Sequence, residues 1–116
     1  EIRVHGEGGG HLPGLVNIGV PGVRSESLVH LLDLKGICVS AASACNAGTD
    51  VPSHVLLAMG YSEKEAMEAL RISYGRETTE QDADDVVRAV VGVVRREKTC
   101  QEMQAELIRA SLMFVP

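Results

Sequence analysis

A chain of 116 residues, 45% hydrophobic and 23% charged, has room for one domain with an ordinary core. Two Tyr, one Phe and no Trp leave no aromatic platform on which nucleobases could stack. The net charge of −5, from 16 acids against 11 bases, argues against steering toward nucleic acid or a polybasic contact with a membrane. No apolar run approaches the roughly 20 residues of a membrane helix, and the opening Glu-Ile-Arg-Val-His carries no secretory signal. Three cysteines, Cys38, Cys45 and Cys100, make an odd, sparse set for a disulfide scaffold, so a reducing cytosol is expected. The chain opens without Met inside a strand-like segment, which suggests a piece of something longer or a processed product.

In chain order, Ile2 to His5 alternates apolar and polar residues as a half-buried strand does. The glycine-rich stretch from Gly6 to Gly10 reads as a turn rather than a phosphate cradle, because nothing helical follows it. Leu15 to Val20 is a second strand, able to pair with the first as an antiparallel hairpin. Ser25 can cap a helix with Leu28, Leu31 and Leu32 on one face, and Gly36 sits where that helix would stop. Ile37-Cys38-Val39 reads as a short buried strand. From Ser40 to Val51 the residues are small or polar, so a loop is expected, with Cys45 in the open.

Pro52-Ser53 opens a short helix ended by Gly60. Ser62 and Glu65 have capping-box spacing and start another helix, expected to run through Ala69. Leu70 to Tyr74 alternates as a strand. Thr78 with Gln81 offers a second capping box, before a helix whose stripe is Ala83, Val86, Val87, Val90 and Val94. Residues 98–116 read as a helical extension or tail beyond a domain of residues 1–97, with Leu107, Ile108 and Leu112 as a docking face. The order β-β-α-β-α-α-β-α predicts an α+β fold: about four strands in a small mixed or antiparallel sheet against three to four helices.

Among residues that could carry chemistry, Cys38 reads as a small buried hydrophobe and Cys100 has no visible partner. Cys45 lies among Ala, Ser, Asn, Gly and Thr, which leave its sulfur accessible for attack. No Lys, Arg or His close in sequence lowers its pKa. A Cys45–His54 dyad is possible on paper but needs a third orienting group. His5, His11, His30 and His54 are scattered and read as surface or rim residues, and the cysteine spacing fits no metal pattern. Arg71 interrupts an apolar segment near the centre of the chain. On a strand it could fork onto a carboxylate, or it could pair with one of the acids.

Leu12-Pro13-Gly14, Asn17, Glu26-Ser27-Leu28, Ser43-Ala44-Cys45, Pro52-Ser53 and the run from Leu70 through Arg76 to Glu80 together resemble the C-terminal, small domain of cysteine desulfurases. These are pyridoxal-phosphate (PLP) enzymes of the aminotransferase class V group. The similarity runs from about Leu12 to about Arg96, and the long small-residue loop resembles the subgroup that feeds iron–sulfur cluster assembly. The resemblance implies that PLP, held on a lysine, captures L-cysteine. Cys45 would take its sulfur as a persulfide, L-alanine would leave, and Arg71 would hold the substrate α-carboxylate. It also implies a homodimeric, cytoplasmic parent and a sulfur-acceptor or cluster-scaffold partner. None of Lys35, Lys64 or Lys98 stands in a matching motif, so the cofactor is expected on a domain outside this chain, and the chain alone should be inactive. Two other readings stay open: a non-catalytic sulfur-carrier or interaction module of the same fold, and a related class V transaminase or selenocysteine lyase.

Overall fold

The computed structural model describes residues 1–10, 12–41 and 51–112. Its elements are β1 (Arg3–Val4), β2 (Leu15–Gly19), α1 (Ser25–Asp33), β3 (Ser40–Ala41), α2 (His54–Ala58), α3 (Glu63–Met67), β4 (Ala69–Ser73) and α4 (Glu80–Leu112). The element order and the α+β class are those expected. The strands form one antiparallel sheet in the order β1-β2-β4-β3. At its centre β2 and β4 are in register from Leu15↔Ser73 to Gly19↔Ala69. The β1–β2 hairpin expected from the alternation is present, with Val4 opposite Ile18.

Alternation along the central strands divides the sheet into two faces. Ile18 and Leu70 point into the main core, with Val16 and Ile72 packed against it. There they meet Leu28 and Leu32 of α1 and Val90, Val93 and Val94 of α4. Asn17, Gly19, Ala69 and Arg71 therefore face the other way. The Ala69 end of that second face is covered by Leu56 of α2 and Ala66 of α3, flanked by Tyr61.

The helices start and stop for local reasons. After α1, Gly36 at φ +78° allows Gly36 N–H to reach the Asp33 carbonyl and Ile37 N–H the Leu32 carbonyl; Gly60 at φ +96° ends α2 with the same pair of bonds. The Ser62/Glu65 capping box forms as expected, with Ser62 N–H donating to Glu65 Oε2 at 2.8 Å and Glu65 N–H to Ser62 Oγ at 3.2 Å. The bond from the Ser62 N–H holds the Glu65 carboxyl below its usual range, and the Ser62 side chain adds to this.

Several local expectations need correction. Arg24, not Ser25, occupies the position before α1; Ser25 is helical and its Oγ donates to the Met67 carbonyl at 3.0 Å, tying α1 to the α3–β4 junction. Ser53 caps α2, so Pro52 precedes the cap. Helix α3 stops at Met67, because Ala69 is already paired with Gly19. Before α4 the reciprocal bonds join Thr79 and Asp82, at 2.8 and 3.1 Å, while Thr78 Oγ1 accepts from Gly75 N–H. Val87 is exposed and Val93 is buried in its place. The strand expected at Ile37 to Val39 forms later, at Ser40–Ala41 on the sheet edge. Ile37 and Val39 pack on the core while Cys38 between them is exposed, not buried.

Helix α4 runs without interruption through position 97. Leu107 and Ile108 are exposed rather than docked, and the side chain of Leu112 lies outside the described residues. The Gln101 side chain still reaches the Gly22 carbonyl at 3.0 Å. Among the described residues, no helix is long and apolar enough to cross a membrane.

Candidate active site

The second face of the sheet carries a row of polar side chains. Arg71, at the middle of β4, is registered with Asn17 on β2 and with Ser40 on β3. Residues directly opposite on antiparallel strands share a face with Cβ atoms about 4.5–5.5 Å apart, so these three side chains stand side by side. His5 extends the row beyond Asn17. Its N–H donates to the Asn17 carbonyl at 2.9 Å, and its ring Nδ1 lies 2.6 Å from Asn17 Oδ1.

Arg71 is half-buried and makes no ion pair among the described residues. The salt-bridge alternative therefore finds no partner there. A guanidinium fixed on a central strand, with its fork unclaimed, can take a carboxylate through two parallel hydrogen bonds. Ser40 links this row to the expected nucleophile, since Cys45 follows Ala41 by four residues in sequence. Cys45 itself, its proposed dyad with His54, and His11 lie outside the described residues. Cys100, His30 and His54 are exposed, and no metal-binding cluster occurs among the described residues.

The sequence treated His5 as a rim residue, yet the fold builds a pocket wall around it. Its ring lies 4.5 Å from the Tyr61 ring, and the Tyr61 hydroxyl accepts the Gly6 N–H at 3.2 Å. Gly19 makes room for it: a Cβ there would sit 2.6 Å from His5 Nε2. A glycine inside a strand pattern signals close approach of another group, and that was the available clue. The shallow cavity beside it, about 100 Å³, is lined by Arg3, His5, Tyr61, Glu65 and Glu68 among others.

The described residues do not by themselves fit PLP. Lys35 and Lys64 are exposed at the end of α1 and on α3, and Lys98 lies on α4, across the sheet from the row. The row thus offers an anion anchor but no amine to hold the cofactor covalently.

The chain that folds into this helix-backed antiparallel sheet matches the aminotransferase class-V family model over residues 1–86, and it belongs to that family. The individual similarities are narrower. Cysteine desulfurase IscS 1 of Archaeoglobus fulgidus is 38% identical over 96 residues, covering 83% of this chain and 25% of that protein. Cysteine desulfurase IscS of Anaeromyxobacter sp. is 40% identical over 95 residues, covering 82% of this chain and 23% of that protein. The NifS-like protein from Rickettsia africae superposes with a TM-score of 0.67 at 27% identity, over 79% of this chain and 23% of that one. The resemblance to cysteine desulfurases read from the motifs is thereby borne out. The chain spans about a quarter of the length of the curated relatives it matches.

Proposed function

We propose that this chain serves as the small domain of a cysteine desulfurase within a longer protein. Residues 1–97 form the desulfurase-like unit and residues 98–116 an extension. In this reading Cys45 accepts sulfur from L-cysteine as a persulfide, L-alanine is released, and the sulfur passes to an acceptor protein for iron–sulfur cluster assembly. PLP, which supplies the electron sink when bound, belongs to a part of a homodimeric cytoplasmic enzyme beyond these residues. The observation that carries the reading is Arg71, unclaimed by any acid among the described residues and flanked by Asn17 and Ser40.

The work of this chain's own residues is binding and orientation. Arg71, on the central strand, holds the substrate α-carboxylate, so the substrate sulfur meets Cys45 as a positioned partner rather than by diffusion. The rigidity of β4, paired on both sides, keeps that anchor in place.

The test uses the full-length protein. Cys45→Ala should abolish alanine release from L-cysteine while PLP stays bound, and normal turnover by that variant removes Cys45 from the role. Arg71→Ala should raise KM for L-cysteine by about tenfold or more, as expected for a lost charge-assisted hydrogen bond. Unchanged kinetics would return Arg71 to a structural part.

A further inference from the structure

Asn17 occupies a position that the desulfurase reading leaves without a task. Its Oδ1 is an acceptor only, so the 2.6 Å contact requires the proton on His5 Nδ1. With Oδ1 turned to His5, the Asn17 Nδ2 amide is directed away from that ring. Among the described residues Nδ2 donates to nothing. The cross-strand neighbour of Asn17 on its other side is Arg71. Two donors, an amide NH₂ and a guanidinium, therefore stand side by side on this face, neither claimed by an acceptor among the described residues.

The His5 ring is itself held. Tyr61 packs against it, Gly19 leaves the space beneath it, and its backbone N–H is bonded to Asn17 on the same strand pair. Without a donor at Nδ1, the Asn17 amide could rotate and present its oxygen toward Arg71, which would quench the guanidinium instead of extending it. The identity of one atom on His5 thus decides whether the row is a two-donor anion site or a self-satisfied pair.

We infer that His5 is a positioning residue: by donating Nδ1–H to Asn17 Oδ1 it sets the Asn17 Nδ2 amide beside Arg71 as a second donor to the substrate carboxylate. The inference rests on the carboxylate role proposed for Arg71. The guanidinium fork spans the carboxylate and the amide donates to the second lone pair of one of its oxygens, which fixes the rotation of the substrate about its Cα as well as its distance.

Steady-state kinetics of alanine release by the full-length enzyme test this. His5→Phe keeps a ring against Tyr61 but has no donor. It should raise KM for L-cysteine about tenfold with kcat within about twofold of the parent. Asn17→Ala should behave alike, and the double variant should be no worse than either single one. His5→Asn should restore KM to within about twofold, because an asparagine amide nitrogen stands as many bonds from Cβ as Nδ1 does. A purely structural role would not separate Phe from Asn in this way. If Arg71→Ala raises KM and His5→Phe does not, the inference is refuted and the desulfurase reading stands. If Arg71→Ala leaves KM unchanged, the carboxylate reading fails and takes the inference with it.

Discussion

Gly14 and Gly22 share one backbone angle, φ +87°, but differ in surroundings, and that pairing separates two costs of adding a single methyl group. A Cβ at Gly22 would meet nothing within 4 Å, whereas a Cβ at Gly14 would lie 2.9 Å from the Tyr74 carbonyl oxygen. In both variants alanine pays for a left-handed angle, about 1–2 kcal/mol. Both also gain about 0.4–1 kcal/mol from a less disordered unfolded chain. Those contributions cancel in the comparison. What remains at Gly14 is a backbone clash that no side-chain rotation can relieve. Relief requires β2 and the end of β4 to move apart, straining the 2.9 Å bond from Tyr74 N–H to the Gly14 carbonyl. Overpacking of this kind costs roughly 1–3 kcal/mol. Gly14→Ala should therefore be less stable than Gly22→Ala by about that amount. Urea unfolding followed by far-ultraviolet circular dichroism measures it, the chain having no Trp to report by fluorescence. Equal stabilities within about 0.3 kcal/mol would show that the turn before β2 yields freely and that the clash argument is wrong.

Leu70 is fully buried between β2 and β3 on the main-core face, so Leu70→Ala should cost about 2–5 kcal/mol in the same assay. Leu107→Ala, at a residue 66% exposed, should change stability by no more than about 0.5 kcal/mol. The Asp82 carboxyl is held below its ordinary value of 3.8 by the Thr79 N–H, with help from the Thr79 side chain. A carboxyl whose folded pKa is depressed adds stability that is fully present above its unfolded value and is lost as pH falls through the folded one. The stability gap between the parent chain and Asp82→Asn should then be widest near neutral pH and close below about pH 4. A gap that widens with acid contradicts the assignment.

What the sequence made legible follows the range of the interactions concerned. The Ser62/Glu65 box depends on residues three apart and was readable directly, as were the helix stops at Gly36 and Gly60. The second box was misplaced by one residue because Thr78 and Thr79 both have a hydrogen-bonding residue three positions on. Only the competing bond from Gly75 to Thr78 settles the choice. The exposure of Cys38 is not legible because an apolar triplet does not say which of its residues faces the core: Ile37 and Val39 pack there, and Cys38 between them does not. Arg71 stood out as a charge in an apolar segment. The contact between Asn17 and His5 is hidden in the sequence because it arises where residues 12 apart meet across a strand pair, with Tyr61 brought in from much further along.

Helix α4 spans 33 residues, about 50 Å at 1.5 Å per residue, and gives the molecule a longest dimension of 61 Å. Its first half is clamped by Val90, Val93 and Val94, while its exposed end rests on the intrinsic preferences of Gln, Glu, Met, Ala and Leu. One unbroken hydrogen-bonded rod therefore spans two regimes. Opening of its buried turns is coupled to unfolding of the sheet, and opening of its last turns is a local helix–coil event that leaves the sheet intact. The polar row centred on Arg71 is thereby insulated from fraying at the far end of the helix that follows β4.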